Sequence, residues 1–311
     1  MRKSRQSMAS PATVPTTRNL APLLARWVVP GLWLTLPFTA GPAFADALDP
    51  CSRLMQVIAS TGLWAAWVVA FGLSLVPRTT SLTGVRIVMP ASLVAAAWAA
   101  VAAPSFGVAA IVALAVTAAV TILVLSAPTG AIFANGSSYG DERRLPLKPP
   151  ASLLIGPVQL AWVVCVAGVA AGPLLFAARA FGVGVIATVV GWPAAWLAAR
   201  SLHGLSQRWV VFVPAGFVLH DRMALTDPVL IPNRMVASLG PAAAGSDAVD
   251  YTLGARGLVL QVDLTEPTPV TPLPRRTRPG QRPPLESVEV QSLLFAPSRP
   301  CLLYTSPSPR D

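Results

Sequence analysis

The sequence predicts an α-helical transmembrane bundle of five spans, preceded by a signal peptide or a sixth span and followed by a small antiparallel β-sandwich or barrel. Three observations carry this. First, 54% of the residues are hydrophobic and only 12% are charged, against about 25% charged in an ordinary soluble domain. Second, several uncharged apolar stretches reach the length that a hydrocarbon core demands. Third, the hydrophobic pattern shortens after Arg208 into brief β-branched and aromatic runs.

Residues 1–45 form the first unit, either a cleaved signal peptide or a retained first helix. A basic stretch with Arg2, Lys3, Arg5 and Arg18 precedes an apolar segment, 21–45, interrupted by Arg26. Ala43-Phe44-Ala45 before Asp46 has the small-x-small form of a signal-peptidase site. The long basic region, Pro30 and Pro37 speak for the other reading.

Residues 46–200 form the transmembrane unit. Spans are predicted at about 57–77, 87–103, 106–127, 151–177 and 183–199, all without Asp, Glu, Lys or Arg. A helix needs about 20 apolar residues to cross, because each unpaired backbone group in lipid costs several kcal/mol. The second span is shorter and carries Pro90; Pro104-Ser105 joins it to the third in a tight hairpin. Arg78 and Arg86 flank one connection, Arg143, Arg144 and Lys148 lie in another, and Arg200 and Arg208 follow the last span. The positive-inside rule therefore places these connections, and everything after Arg200, in the cytoplasm of a multi-pass cell-membrane protein.

Within the spans the polar inventory is sparse: Gln159, Cys165 and scattered Ser and Thr. Transport paths usually carry ionisable groups at membrane depth, so helix contacts account better for these residues. Gly168 and Gly172 form a small-xxx-small pair that lets two helices approach closely and argues packing.

The connection 128–150 is the most distinctive stretch. Tyr139, Asp141, Glu142, Arg143, Arg144 and Lys148 make a candidate docking surface or lipid-headgroup contact at the inner leaflet. The plainer reading is an ordered turn whose cations meet lipid phosphates, at about 1 kcal/mol per basic residue, and whose acids pair locally. Asn135-Gly136 is a turn signal, and its sequon with Ser137 has no meaning in a cytoplasmic loop.

Residues 201–300 form the β-rich unit. Trp209-Val-Val-Phe-Val213 and Phe217-Val-Leu-His-Asp221 around Pro214-Ala-Gly216 predict a hairpin, and further strands are predicted at 229–231, 235–239, 248–253, 257–264 and 287–295. Residues 266–284, rich in Pro and Arg, read as a disordered loop. His220-Asp221 reads as a hydrogen-bonded turn closing a strand, not half of a metal site.

These residues carry a resemblance. Arg208 to Asp221, Pro228-Val-Leu-Ile-Pro232 and Val236-Ala-Ser-Leu-Gly240 resemble the strand succession of bacterial pleckstrin-homology-like domains attached to membrane helices. The chain from about Gly62 to Pro300, including Asn135-Gly-Ser-Ser-Tyr-Gly-Asp-Glu-Arg143, is similar to a family of uncharacterised multi-pass membrane proteins from high-GC actinobacteria. The resemblance implies a pleckstrin-like fold and brings no catalytic residues. Residues 301–311 match one reading frame of a transposon adapter used in DNA library preparation, so Cys301 and Tyr304 are assigned no role.

No nucleophile elbow, phosphate-binding glycine loop or paired-cysteine motif occurs. The net charge of +10 does not predict nucleic-acid binding, because the arginines are scattered through loops without aromatic interleaving. The expectation is a non-enzymatic membrane protein without a cofactor, in contact with membrane lipids, whose cytoplasmic β-domain binds a protein partner or inner-leaflet lipid. The alternative is a small-molecule or lipid transporter subunit.

Overall fold

The computed structural model describes residues 21–138, 142–273 and 286–301. Three short helices come first: α1 (Ala21–Leu34), α2 (Leu36–Thr39) and α3 (Gly41–Leu48). Pro37 and Pro42 fall in the first turns of α2 and α3, where a missing N–H costs least. The segment expected as a signal peptide or a sixth span is thus folded as three helical pieces. They pack into the bundle: the indole N–H groups of Trp33 and Trp67 each donate to the other residue's carbonyl at 3.0 Å.

Five helices are long and apolar enough to cross a membrane and support a multi-pass membrane protein: α4 (Arg53–Leu75), α5 (Thr79–Ala102), α6 (Val108–Leu125), then, after intervening elements, α9 (Pro157–Ala177) and α10 (Phe181–Leu205). All five shift from their predicted bounds: α4 starts at Arg53 rather than 57, and α10 runs on to Leu205, so that Arg200 lies on the helix rather than after it. Helix α5 starts at Thr79, not at 87, so Arg86 lies on the helix rather than in the connection. Its Nε donates to the carbonyl of Val124, 3.2 Å away in the last turn of α6, where backbone carbonyls lack helical partners. The predicted span 151–177 is broken: α8 (Ala151–Leu154) stops before Gly156, whose φ of +106° suits glycine alone. The Gln159 side chain closes the break, accepting from Gly156 N at 3.0 Å and donating to Leu154 O at 2.5 Å.

Between α6 and α8 lie α7 (Ala127–Asn135) and a short strand, β1 (Arg143–Pro146). After α10 come β2 (Arg208–Val213), β3 (Gly216–Asp221), β4 (Val229–Pro232), β5 (Val236–Pro241), β6 (Val249–Asp250), β7 (Leu260–Val270) and β8 (Val288–Phe295). They form two four-stranded sheets, ordered β1-β2-β3-β4 and β5-β7-β8-β6. Pairing is antiparallel except between β6 and β8, which run parallel. The predicted hairpin is present: Val213 pairs with Gly216 across Pro214-Ala215. The first part of the predicted disordered loop, from Glu266 to Val270, is instead strand, because β7 continues to Val270, which pairs with Val288. Thr268 and Val270 are buried there, and burial on one face holds a strand that its prolines would otherwise weaken. Residues 274–285 lie outside the described residues.

The two sheets share one core. Val210, Leu219, Ile231, Val262, Leu293 and Phe295 are buried in it, each side chain worth about 1.5–3 kcal/mol. Phe217 and Phe295 bring the sheets together with ring centroids 6.2 Å apart.

Candidate functional site at the junction of bundle and sheet

Strand β1 comes from the connection between spans, yet it is an edge of the first sheet. Leu145 pairs with Val210 and Arg144 with Val211. Leu145 and Leu147 alternate inward, 3% and 6% exposed, which is the period-2 pattern that anchors a strand. On the other side Lys148 N donates to Ala296 O at 2.8 Å, and Ser298 N donates to Pro146 O at 2.7 Å. The connection therefore threads between β2 and the segment after β8. Two helices long and apolar enough to cross a membrane, α9 and α10, separate β1 from β2, and an even number of crossings is what the pairing of the two strands requires.

Asn135 prepares the strand. Its Oδ1 accepts from Arg144 N at 2.8 Å, while Nδ2 donates to Arg144 O at 2.7 Å and to Ala131 O at 2.8 Å. The side-chain amide acts as a neighbouring strand for one residue, and ties β1 to the end of α7.

The candidate residues of this connection go to different places. Tyr139 and Asp141 lie outside the described residues. Arg143 pairs with Phe212 in the ladder, its side chain exposed. Arg144 meets Glu142 at 3.4 Å and donates to Ser137 Oγ at 3.0 Å; its guanidinium lies 6.0 Å from the Trp209 ring. Lys148 does not join them: its Nζ donates to Arg256 O at 3.3 Å. Arg144 and Lys148 are thus engaged inside the fold. Gly168 and Gly172 are in α9, where Gly168 lies against Gly191 and Ala195, and Gly172 against Thr188, all in α10.

Two features are invisible in the residue pattern. Arg208 and Asp221, both 2% exposed, form a bidentate pair, Nε to Oδ1 at 2.8 Å and Nη2 to Oδ2 at 2.7 Å. The remaining arginine nitrogen donates to Lys148 O at 3.0 Å, and Asp221 Oδ1 also accepts from Met223 N at 3.0 Å. A desolvated pair survives when its other lone pairs and protons find partners, and here they do. The predicted His220-Asp221 turn lies here, and its carboxylate also receives the arginine.

The second is a polar chain from the sheet to α5. Arg222 donates to Gln207 Oε1 at 2.7 Å, which turns the Gln207 amide nitrogen toward His203 Nε2 at 2.8 Å. His203 Nε2 then accepts, so Nδ1 carries the proton toward Thr83 Oγ1 at 2.9 Å. Thr83 in turn donates to Ser206 Oγ at 3.2 Å. His220 sits apart, stacked on Trp209 with centroids 4.8 Å apart. Burial, then the Arg222 charge, holds its imidazole below the usual range, with Asp221 pulling the other way and Arg144 adding to the lowering. Among the described residues no cluster of three His, Cys, Asp or Glu side chains is placed to hold a metal ion.

No protein-family model, curated protein or solved structure matches the chain.

Proposed function

We propose that this protein is a non-enzymatic scaffold of the cell membrane, whose β-domain faces the cytoplasm and docks a protein partner. The observation that carries the reading is the exposed edge formed by β4 and β5. Each is the outer strand of its sheet, and a single turn at Asn233–Met235 joins them. Leu230 on β4 and Leu239 on β5 are 54% and 39% exposed. Outer strands with outward apolar side chains are receptive to an added strand or an apolar partner surface. The domain is also held to the bundle at two points, β1 and the α10–β2 junction, so this edge has a fixed height above the membrane.

A cytoplasmic position is supported by the arginines at the β-domain ends of the spans, Arg78, Arg200 and Arg208 among them. The resemblance of the strand succession to pleckstrin-homology-like domains is in keeping with a binding role. A structural role for both histidines supports a non-enzymatic reading, since His203 and His220 already have partners.

The test is photo-crosslinking in intact cells, with a photoreactive amino acid at position 230 or 239 and a control at position 53. A discrete protein adduct at 230 and 239, absent at 53, is the expected result. Adducts with lipid alone, or none, would replace this reading with lipid docking or remove it. A membrane-impermeant thiol reagent should leave Ser238→Cys unlabelled until cells are opened; labelling beforehand would reverse the orientation.

A further inference from the structure

At the β-domain end of the bundle, α5 and α10 run antiparallel and leave between them an open groove of about 350 Å³. Its lining is sorted by depth. Thr80 and Thr83 belong to the first turns of α5, and Arg200 and His203 to the last turns of α10. Ile87 and Trp196 lie four to seven residues further along each helix, about 6–10 Å deeper at 1.5 Å per residue. The polar end thus sits where the span meets water, and the apolar end lies in hydrocarbon. A phospholipid has the same order along its length.

Charge agrees with shape. None of the lining residues is acidic, and exposed Arg200 rests over the Trp196 ring at 5.6 Å. Such stacking fixes a guanidinium while leaving its N–H fork open to phosphate oxygens. Thr80 offers a hydroxyl at the same level, and it is exposed. The back wall is stiff, because Thr83 and His203 are bonded to each other and onward to Gln207, which Arg222 grips. Trp162 Nε1 donates to Ile87 O at 3.0 Å, which ties α9 to α5 at a residue of the groove's deep end. The volume lies at the low end for ligand sites, enough for a headgroup and the upper part of one chain.

We propose that this groove binds one anionic phospholipid from the leaflet on the β-domain side, with its phosphate on Arg200 and Thr80 and one acyl chain along Ile87 and Trp196. The site lies in the bundle and does not depend on protein docking at the β4–β5 edge.

The experiment is native mass spectrometry of the full chain in detergent, titrated with phosphatidylglycerol or with phosphatidylcholine of the same chains. One phosphatidylglycerol should be retained where phosphatidylcholine is lost. Arg200→Gln should weaken retention roughly 10- to 100-fold, the range for losing a charged hydrogen bond, and Arg200→Lys should fall between. Ile87→Trp, which fills the deep end and keeps the charge, should also weaken it. Arg53→Gln, at the opposite end of the bundle, should change nothing, and soluble glycerol phosphate should not compete. Equal retention of the two lipids, no effect of Arg200→Gln, or displacement by glycerol phosphate would overturn the proposal.

Discussion

Arg208 and Asp221 close the base of the β2–β3 hairpin: one residue opens β2, the other ends β3, and the two meet through two short hydrogen bonds, at 2.8 and 2.7 Å, with almost no exposure. Removing one partner strands a buried charge, so Arg208→Met or Asp221→Leu should each lower stability by about 3–5 kcal/mol. The double variant should recover most of that loss, though not the bond to Lys148 O. Denaturant titration in mild detergent, run as a double-mutant cycle, measures both. Additive losses would mean that the two side chains do not act as a pair.

Asn135 supplies both backbone bonds of Arg144 from one amide. Asn135→Ala should release the start of β1, at about 1–2 kcal/mol, and speed amide exchange at 143–145 on the order of tenfold. Asn135→Asp keeps the acceptor and loses the donors, so its effect should be intermediate. Unchanged exchange in Asn135→Ala would show that the ladder to β2 alone holds the strand.

Helices α9 and α10 touch backbone to backbone at Gly168 and Gly191. A Cβ at Gly168 would come within 2.5 Å of Gly191 O, so Gly168→Ala must part the helices, an overpacking cost of about 1–3 kcal/mol. Gly62 in α4 meets nothing within 4 Å, and Gly62→Ala should leave thermal stability unchanged or slightly raised. Thermal unfolding of the two variants side by side decides the matter.

His220 should make the β-domain sensitive to acid. Its folded imidazole titrates below the unfolded value because burial and the Arg222 charge disfavour the protonated form. The unfolded chain therefore takes up the proton first. The stability contribution is complete above about pH 6.5 and is lost as pH falls through the lowered folded value. His220→Phe keeps the stack on Trp209 and should flatten the fall in melting temperature between pH 7.5 and pH 5.5. An identical fall in the variant would assign the effect elsewhere.

The five apolar helices were legible in the sequence because hydrocarbon accepts few alternatives: each backbone group must be paired within its own segment. Their ends were less so. Arg86 reads as a loop cation by charge, but a helix end nearby gives it a carbonyl partner and keeps it helical. The hairpin at Pro214-Ala215 is a local signal and was readable for that reason. Strand β1 was hidden, because its pattern is only Leu145 and Leu147 amid charges and prolines, and its partner begins at Arg208, beyond two spans. The Arg208–Asp221 pair was hidden in the same way, since an arginine after a span reads first as a topology marker.

The pairing of β1 with β2 also orders events during synthesis. Leu145 leaves the ribosome before α9 and α10 exist, and Val210 only after both. The edge strand waits for a neighbour that arrives on its own side only if the hairpin between them makes an even number of crossings. A chain whose final hairpin crosses only once keeps the two strands apart and cannot close the first sheet. Folding of the β-domain thereby registers completed insertion of the last two helices.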